Sequence, residues 1–460
     1  MMILKDLLQK IDHESVSGDV DRLVSDIHYH SDTVEKDSLF VAIRGYQTDG
    51  HRFISNAFEN GARVFMIEKD IDIPGATVVR VADTRKALSR ISRVFFGYPD
   101  RKLKIIGITG TTGKTTTAYL IHSILTAAHW NPGLISTVES YDGDVWKLSE
   151  RTTPEALDIF RLFHQMNRKR LKSAVMEVSS HALSLYRVKD ISFTAGVFTN
   201  LGRDHLDFHK TMDDYFLAKK KLFDEMNENQ RAILNIDDLY STRIQESTGG
   251  EVFTYSMNRR DATVCFLHHE SRQKGMSVTM QIPSGVITLE TSLLGDFNIY
   301  NILAAVTTAV SLGIQDDFII KGVESLKRIP GRCEILETPS NFTVYVDYAH
   351  TPESLHNILR AVWGAKPATL IVVFGAGGDR DRGKRPAMGK AADDFADKII
   401  LTNDNPRSED PETIIKDILE GISDKSKVSV IIDRREAIQK ALDMAQANDG
   451  VLIAGKGHET

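Results

Sequence analysis

Cysteine is scarce in this sequence, which has only Cys265 and Cys333 among 460 residues. Two thiols cannot build a disulfide scaffold or a thiolate zinc cluster, and such sparse cysteine is typical of a reducing cytosol. Long apolar runs are also missing, since no stretch approaches the roughly 18 residues that a membrane-spanning helix needs. Charged residues interrupt the N-terminal stretch and neither end carries a lipidation motif. Neither a signal peptide nor a lipid anchor is therefore expected.

An excess of positive charge is absent as well. The chain has 57 Lys and Arg residues against 63 Asp and Glu residues, a formal net charge of −6. A mildly acidic chain is a poor candidate for general binding to nucleic acids or anionic membranes. The composition, with 42% hydrophobic and 26% charged residues, is that of a folded protein. At roughly 150 residues per domain, the length suggests about three domains.

Alternating strand and helix patterns predict three α/β domains, at residues 1–100, 101–329 and 330–460. The first combines a short apolar run at 38–43 with a helical stretch at 52–62. From Lys104 onward, short apolar runs alternate with helical patterns, which is typical of a parallel, doubly wound sheet. The sequence KRIPGR at 327–332 reads as a linker. Beyond it the alternation begins again and predicts a second, Rossmann-like parallel sheet.

The strongest local motif is GTTGKT at 110–115, which lies between the apolar run KIIGIT and a helical stretch at 118–128. Glycines let the loop backbone point its N–H groups at phosphate oxygens, and the following helix N-terminus favours an anion. Lys114 can reach the terminal phosphates, and the Thr115 hydroxyl can hold Mg²⁺. The strict phosphate-loop pattern is not met, because Ile108 stands where the first glycine belongs. The alternative is a glycine-rich turn with a surface lysine, but the strand–loop–helix order favours a phosphate loop.

Further candidate groups follow strands of the same predicted domain. Glu177 ends an apolar strand, where a carboxylate points into the ligand crevice and could hold Mg²⁺. The alternative is a glutamate that caps a helix or forms a salt bridge. The segment TNLGRDHLDFH at 199–209 gathers two Asp and two His side chains, and His205 is the candidate ligand of a second cation. Lys219 lies on a predicted helix, where the local pattern alone indicates a solvated lysine face.

Charged loops follow the strands of the C-terminal domain. They carry the sequences VDYAHTPES, GAGGDRDRGKRP, TNDNPRSEDP and AGKGHET. All four lie at the carboxyl ends of predicted strands, where the crevice of an open α/β sheet is found. Arg380 and Arg407 could hold a carboxylate there, and Asp404 and Glu459 an ammonium. The pattern favours a site for a zwitterionic ligand over a set of ordinary surface loops.

These motifs together resemble those of the Mur ligases, the ATP-dependent amide-forming enzymes of peptidoglycan precursor synthesis. Within that family they are most similar to the type that adds the third residue of the peptide. The resemblance covers nearly the whole chain. The motifs that carry it are GTTGKTTT, RTTPEALD, MEVSSHAL, TNLGRDHLDFH, LLGDFNIYN, PGRCE, VDYAHTPE, GAGGDRDRGKRP, DNPRSEDP and GKGHE.

The resemblance implies a division of labour between three domains. The N-terminal domain would bind the uridine end of the substrate, the central domain ATP, and the C-terminal domain the incoming amino acid. The implied substrates are UDP-MurNAc-L-Ala-D-Glu, ATP and meso-diaminopimelate, with two Mg²⁺ ions as cofactors. Together with the composition, this implies a monomer in the bacterial cytoplasm, with no nucleic-acid or membrane partner.

The resemblance also assigns individual positions. Those matching the ATP site are Gly110, Thr111, Thr112, Gly113, Lys114, Thr115, Thr116, Asn298, Arg332 and Asp347. Those matching the UDP-MurNAc-dipeptide site are Ser31, Thr152, Thr153, Ser179 and Arg187. Those matching the amino-acid site are Arg380, Asp404, Asn405, Pro406, Arg407, Gly455 and Glu459. The implied catalytic residues are Lys114, Glu177, His205 and Lys219, and the implied metal ligands are Thr115, Glu177, His205 and Lys219.

Two of these matches are specific to the family's chemistry, and one position departs from its usual pattern. Lys219 matches a carbamylated lysine, in which CO₂ converts the amine into an anionic group that can hold the second Mg²⁺. The sequence Asp-Asn-Pro-Arg ending at Arg407 resembles the version of the motif that accepts meso-diaminopimelate. Near Ser31 the chain departs from the family, since it has His-Ser-Asp where Asp-Ser-Arg is usual.

The implied reaction is a two-step amide synthesis. The γ-carboxylate of D-Glu attacks the γ-phosphate of ATP, and the amine of the amino acid then displaces phosphate from the acyl phosphate. Other readings stay open: an L-lysine-adding ligase, a Mur-like paralogue with another acceptor, a folylpolyglutamate-type synthetase, or a nucleotide-dependent switch that makes no amide.

Overall fold

The computed structural model describes residues 1–45, 48–272, 275–336 and 341–458. The chain divides into two units. The first consists of Met1–Thr111, His129–Ile233 and Tyr240–Val252, and the second of Thr112–Ala128, Leu234–Leu239 and Phe253–Thr460. The domain bounds proposed from the sequence stay a prediction. Within the described ranges, no helix has the length and apolar character that crossing a membrane requires.

The first hundred residues contain short strands and three helices among the described residues. The strands are β1 (Met2–Ile3), β2 (Ser15–Ser17), β3 (Leu23–Val24), β4 (Ile27–His28), β5 (Leu39–Val41), β6 (Val64–Ile67) and β7 (Thr77–Arg80). The helices are α1 (Leu4–Leu8), α2 (Ile54–Glu59) and α3 (Thr84–Phe95). The strand order is β2-β7-β6-β5-β4, parallel except for β2. Alternate residues such as Val41 and Phe40 enter two separate cores, so both faces of this sheet are covered.

The middle of the chain carries the elements that hold most candidate site residues. The strands are β8 (Lys104–Thr109), β9 (Pro132–Ile135), β10 (Glu139–Tyr141), β11 (Trp146–Leu148), β12 (Ser173–Glu177), β13 (Ala195–Phe198), β14 (Arg231–Asn235), β15 (Glu251–Ser256), β16 (Val264–Arg272), β17 (Gly275–Ile282) and β18 (Gly285–Thr291). The helices are α4 (Lys114–Ala127), α5 (Ala156–Arg168), α6 (Ser180–Ser184), α7 (Leu206–His209), α8 (Met212–Asp224), α9 (Tyr240–Gln245), α10 (Asp296–Ser311) and α11 (Asp316–Ser325).

The strands of this region that lie entirely in the first unit follow the order β11-β10-β9-β12-β8-β13. The neighbours β9, β12, β8 and β13 run parallel, as the apolar runs predict. Apart from Lys104, every residue of β8 is buried, because a parallel strand covered on both faces has no solvent side. Thr109, Glu177 and Phe198 end three adjacent parallel strands, and so their following loops emerge at one edge of the sheet.

The C-terminal region contains the second parallel sheet. Its strands are β19 (Glu334–Leu336), β20 (Thr343–Asp347), β21 (Leu370–Phe374), β22 (Lys398–Leu401), β23 (Val428–Val430) and β24 (Gly450–Ala454). Its helices are α12 (Pro352–Gly364), α13 (Lys384–Phe395), α14 (Pro411–Leu419) and α15 (Arg434–Met444). The order is β19-β20-β24-β21-β22-β23, with β19 alone antiparallel to its neighbour among the described strands. The predicted fold class, α/β with parallel sheets, is confirmed.

Gly322 in α11 sets how closely this helix packs on α4 within the second unit. A β-carbon at Gly322 would lie 2.4 Å from Cα of Ile124 and 2.8 Å from its backbone nitrogen, where no side chain can move aside. The Ser123 hydroxyl also donates to the Gly322 carbonyl oxygen at 2.6 Å. We therefore expect Gly322→Ala to destabilise this unit by about 1–3 kcal/mol, the usual cost of overpacking. A fall in melting temperature by scanning calorimetry would measure this effect.

The matched control is Gly364→Ala at the end of α12. A β-carbon at Gly364 has no neighbouring atom within 4 Å, and its φ angle is not in the left-handed region. Alanine is the better helix former, so this variant should melt at the same temperature as the wild type or slightly higher. Equal melting temperatures for the two variants would contradict the close-packing argument.

Candidate active site

The predicted phosphate loop lies between β8 and α4, which begins at Lys114. Gly110 and Gly113 have φ angles of 154° and 84°, a region that side chains rarely adopt. A β-carbon at Gly110 would lie 1.8 Å from Oγ1 of Thr199. Both glycines are thus required by the loop conformation. Thr111 secures the loop, since its N–H donates to the Asn200 carbonyl oxygen at 2.9 Å and its Oγ1 accepts from the Gly202 N–H.

In the second unit, Arg332 and Asp347 lie near the first turn of α4. The Arg332 guanidinium donates to Oγ1 of Thr115 at 3.3 Å and lies 4.8 Å from the centre of the Tyr348 ring. Asp347 accepts from the backbone N–H groups of Cys333 and Ala349, each at 2.7 Å. Burial raises the pKa of Asp347, and the positive charge of Arg332 counteracts this shift. The structure thus gathers three of the predicted ATP-site residues.

Asn298, another predicted ATP-site residue, is buried in the first turn of α10. Its Nδ2 donates to the Leu294 carbonyl oxygen at 2.8 Å, and its Oδ1 accepts from Nδ2 of Asn301 at 2.9 Å. Asn301 in turn accepts from the Thr117 hydroxyl of α4 at 3.4 Å. These contacts tie the start of α10 to the helix that follows the phosphate loop.

Glu177 at the end of β12 is completely buried. Its carboxylate accepts from the N–H of Thr137 at 2.8 Å and lies 3.0 Å from the Thr137 hydroxyl. No Lys, Arg or His within the described ranges forms an ion pair with it. A buried carboxylate without a cationic partner has a high energetic cost, so its place in the fold suits a bound cation. The Glu177 side chain does not cap α6, a role that Ser179 performs.

The residues predicted to hold the dipeptide lie beside Glu177. The Thr153 hydroxyl donates to the Glu177 carbonyl oxygen at 2.9 Å and accepts from the N–H of Ser179 at 3.0 Å. Arg187 donates to the Thr153 carbonyl oxygen at 3.0 Å. Thr152 joins the group through its Oγ1, which lies 3.1 Å from the Thr137 hydroxyl. The structure therefore brings four of the five predicted positions together.

Ser31, the fifth position, lies in a 3₁₀ turn of the N-terminal region. It is buried, and its hydroxyl donates to the Asp32 carboxylate at 3.3 Å. Its carbonyl oxygen accepts from Nδ2 of Asn60 at 3.0 Å. The Asp32 that departs from the family pattern is thus a direct partner of Ser31.

Lys219 lies on α8 and is only 1% exposed, so the solvated lysine face that its local sequence indicates is wrong. Its Nζ donates to the Gly110 carbonyl oxygen at 2.8 Å and lies 4.5 Å from the centre of the Tyr215 ring. The His205 ring lies 6.1 Å from the same tyrosine ring, centre to centre. His205 has a left-handed φ of 54°, and its side chain is half exposed. The structure thus places Lys219 directly against Gly110 of the phosphate loop, and both Lys219 and His205 lie near the Tyr215 ring.

Two loops of the second unit carry the predicted amino-acid site. A β-carbon at Gly377 would lie 3.1 Å from a guanidinium nitrogen of Arg407, 3.7 Å from the Asn405 carbonyl oxygen and 4.0 Å from Cγ of Arg380. At Gly455 a β-carbon would lie 3.1 Å from a carboxylate oxygen of Asp404. Pro406 lies within the same loop, between Asn405 and Arg407. Glu459 lies outside the described residues.

Arg385 holds these two loops together. No role was predicted for it from the sequence. Its side chain is fully buried and donates to both carboxylate oxygens of Glu409, at 2.8 and 3.0 Å, and to Asp417 at 2.8 Å. Arg407 donates to the Gly378 carbonyl oxygen at 2.5 Å, and the Gly378 N–H donates to Asn405. In the motif GAGGDRDRGKRP, Arg385 stands among several basic residues, and nothing in the sequence signals that it is buried.

Four other residues beside the site were also not predicted from the sequence. They are Thr137, Glu155, Tyr215 and Asn301. Glu155 stands inside the motif RTTPEALD, but nothing in that motif states which cations surround it. Among the described residues, no cluster of three or more His, Cys, Asp or Glu side chains could hold a metal ion by itself.

Comparison with protein families gives three consecutive matches along the chain. Residues 24–96 match the Mur ligase family catalytic domain, residues 108–309 the Mur ligase middle domain, and residues 331–457 the Mur ligase glutamate ligase domain.

Individual relatives agree with these matches. The chain is 45% identical to the UDP-N-acetylmuramoyl-L-alanyl-D-glutamate--2,6-diaminopimelate ligase of Aquifex aeolicus, over 95% of this chain and 89% of that protein. A solved structure of a ligase with the same name has 31% identity and a TM-score of 0.72, covering 100% of this chain and 94% of the other. The MurF ligase of Thermotoga maritima, solved with ADP, has the same fold with 19% identity and a TM-score of 0.68, over 94% of each chain.

Proposed function

Because the chain belongs to the Mur ligase family, we propose that it uses ATP to join meso-diaminopimelate to the D-Glu γ-carboxylate of UDP-MurNAc-L-Ala-D-Glu. The observation that carries the proposal is the group of side chains around Gly377 and Gly455. Two arginines and a carboxylate lie there, and such a set suits an amino acid with an additional carboxylate. The related ligases at 45% and 31% identity bear the name of this reaction.

The reaction needs an activated carboxylate, because a free carboxylate is a poor electrophile at neutral pH. An oxygen of the D-Glu γ-carboxylate forms a bond to the γ-phosphorus of ATP, and ADP leaves. The unprotonated amine of diaminopimelate then attacks the acyl carbon of the acyl phosphate. The C–O bond to phosphate breaks, the nitrogen loses a proton, and inorganic phosphate leaves with the electron pair.

The protein contributes mainly positioning and charge neutralisation. We assign Lys114 and the N-terminus of α4 to the ATP phosphates, and Arg332 and Asp347 to the nucleotide. Thr152, Thr153, Ser179 and Arg187 would hold the dipeptide end of the sugar nucleotide, and Ser31 its uridine end. Arg380, Asp404, Asn405 and Arg407 would orient the incoming amino acid, together with Pro406, Gly455 and Glu459.

Mg²⁺ fits the donors that this chain offers. It takes oxygen ligands and needs only one or two carboxylates besides phosphates and water. The buried Glu177 carboxylate, which lacks a cationic partner among the described residues, is the best candidate ligand, and Thr115 and His205 are the other protein candidates. When bound, the metal would offset negative charge on the phosphoryl group.

A carbamate on Lys219 also fits its surroundings. One N–H of the carbamate can still donate to the Gly110 carbonyl oxygen, which Nζ already contacts. The added carboxylate would supply the second metal position with an oxygen ligand. We also propose that the protein is a monomer. We place it in the bacterial cytoplasm, where its substrates would be made.

Phosphate release tests the function directly. The assay contains ATP, Mg²⁺ and UDP-MurNAc-L-Ala-D-Glu with meso-diaminopimelate, L-lysine or no amino acid, and the product is weighed by mass spectrometry. We expect phosphate and a tripeptide mass with diaminopimelate only. Activity with lysine alone would support the ligase reaction but contradict the role in diaminopimelate selection given to Arg407. Phosphate release without any amide product would favour a nucleotide-dependent switch.

If Lys219 carries a carbamate, that group can be detected by isotope labelling without measuring enzyme activity. After equilibration with ¹³C-bicarbonate, the wild type should show a carbamate carbon by NMR, and Lys219→Ala should not. The same variant should lose about 10³-fold in turnover, since it removes a charged group at the phosphoryl site. Lys220→Ala is the control, because Lys220 lies next on α8 but pairs with Asp224. A carbamate signal that survives in Lys219→Ala would reject this assignment.

A further inference from the structure

Arg434 links two of the loops that carry the predicted amino-acid site. Its Nη2 donates to the Ala454 carbonyl oxygen at 2.8 Å, and its Nη1 donates to the Asn403 carbonyl oxygen at 3.5 Å. Asn403 directly precedes Asp404 in the first loop. Ala454 directly precedes Gly455 in the second. One guanidinium therefore contacts the backbone beside two residues that we assign to the incoming amino acid.

The two loops do not follow neighbouring strands. Asn403 follows β22 and Ala454 ends β24, and β21 lies between these strands in the sheet. The first loop crosses the end of β21, where a β-carbon at Gly375 would lie 2.2 Å from the Thr402 carbonyl oxygen and 3.2 Å from the Asp404 backbone nitrogen. Strand pairing therefore fixes the distance between the loops only indirectly, through β21. A side chain that contacts both loops fixes it directly.

Local sequence preference does not explain an arginine at position 434. Arg434 is the first residue of α15, so its positive charge lies at the helix end where free N–H groups already carry partial positive charge. The preceding Asp433 fits this helix end, because its carboxylate accepts from the Glu436 N–H at 2.9 Å. An arginine that contradicts the local preference points to a role outside the helix.

Opposite charges border the space beside Gly455. A β-carbon at Gly455 would lie 3.1 Å from a carboxylate oxygen of Asp404 and 3.7 Å from Nη2 of Arg434. The Gly455 N–H also donates to the Asp347 carbonyl oxygen at 3.1 Å, which holds this backbone to β20. The Asp404 carboxylate therefore keeps its place beside Gly455 only while the two loops keep their separation.

We propose that Arg434 is a positioning residue for recognition of the second amino group of diaminopimelate, a role that rests on the proposed function. Asp404 would bind the ammonium that does not react, and Arg434 would hold Asp404 at a fixed distance from the Gly455 backbone. Both Nη atoms of Arg434 already donate to carbonyl groups, and we assign the side chain no contact with the substrate. Its loss should weaken recognition of the second ammonium and leave the reacting amine unaffected.

An acceptor without the second amino group tests this role. 2-Aminopimelate keeps both carboxylates and the reacting amine of diaminopimelate but lacks the other amine. We expect the wild type to prefer diaminopimelate about 30-fold or more in kcat/KM, because hydrogen bonds between charged groups are strong. Arg434→Gln should raise the KM for diaminopimelate about tenfold and change kcat/KM for 2-aminopimelate less than about threefold, so that the preference shrinks. The KM for ATP should stay unchanged.

Arg435→Gln is the matched control. Arg435 is the next residue of α15 and is exposed, so the same substitution removes the same charge from the same helical turn. Its kinetics should equal those of the wild type, and its melting temperature should be equal or slightly higher. Arg434→Lys keeps the charge but cannot reproduce the two-pronged contact, so it should retain only part of the preference. This variant carries the comparison if Arg434→Gln does not fold.

Two results would overturn the proposal. Equal losses with both acceptors in Arg434→Gln, or a matching rise in the KM for ATP, would show general loosening of the domain. A double-mutant cycle with Asp404→Asn gives the second test, since adding Arg434→Gln to that variant should not reduce the preference further. If the two losses of preference multiplied, Arg434 would act independently of Asp404 and the proposal would be wrong.

Failure of the proposed function is a separate result. Absence of tripeptide from the wild type with diaminopimelate would reject that function. Calorimetric titration of diaminopimelate and 2-aminopimelate would then still decide the role of Arg434. A weaker preference in Arg434→Gln than in the wild type would support the role, whereas equal preferences, or binding of neither acceptor, would overturn it.

Discussion

Replacing Lys114 by alanine is expected to slow phosphate release from ATP by about 10³-fold, because it removes a preorganised positive charge from the phosphoryl group. Lys114 is the first residue of α4, directly after the left-handed Gly113. Its backbone stays in the helix in the variant, so the fold should be kept. The measurement is phosphate release with all three substrates, together with the affinity for ADP.

The control for this prediction is Lys104→Ala. Lys104 begins β8, ten residues before Lys114; it is exposed and its ammonium lies over the Trp130 ring. Its loss should leave phosphate release within about twofold of the wild type, as surface substitutions usually have small effects. If Lys114→Ala turned over ATP at the wild-type rate, the phosphate-loop assignment would be wrong.

The parallel strands could be predicted because each is a short, fully apolar run between turns. The prediction of β8 at 104–109 agrees with the structure at both ends. The start of α4 was placed four residues too late, at 118 instead of Lys114. The reason is that the three threonines after Lys114 look polar in sequence, whereas all three are buried in the structure. Local hydrophobicity cannot show that the tertiary fold buries a threonine, as α10 does with Thr117.

The antiparallel strands β16, β17 and β18 were not predicted. β18 alternates exposed and buried residues along its length, which is a regular period-two signal. β17 is almost continuously buried despite Ser277 and Thr279, so its polar side chains hide the pattern. Pairing between these strands depends on contacts between segments rather than on any single run.

The candidate site shows the same limit. The glycines of the phosphate loop carry a backbone requirement that is visible in the sequence. The burial of Lys219 is not visible, because its partners Gly110 and Tyr215 come from the loop and from one helical turn away. Only the resemblance to the Mur ligases singled it out. Arg85 and Arg187, which both pair with Glu155, lie farther apart in the sequence still, and only the tertiary fold brings them together.

Arg385→Met is expected to lower both the stability of the protein and its affinity for the incoming amino acid by a large amount. The buried guanidinium holds Glu409 and Asp417, and it lowers the pKa of Glu409 to about 2. Removing one partner of a buried ion pair leaves the other charges uncompensated, so the melting temperature should fall by about 5 °C or more. The stability that the Arg385–Glu409 pair contributes is fully present above the ordinary pKa of glutamate. It is lost as the pH falls toward 2, the lowered pKa of Glu409. The wild-type advantage should therefore be full at neutral pH and small in acid.

The same substitution should raise the KM for diaminopimelate about tenfold or more and leave the KM for ATP unchanged. Glu409 also accepts from the N–H of Asp379 at 2.5 Å, so Arg385 connects the two loops that carry Arg380 and Arg407. Arg382→Met is the matched control, since Arg382 also pairs with Asp417 but is 60% exposed and should matter little. Arg385→Lys should recover part of the stability but less of the acceptor KM, because lysine cannot reproduce the two-pronged contact with Glu409. A proportional rise of both KM values in Arg385→Met would show general loosening of the fold rather than a loss of loop geometry.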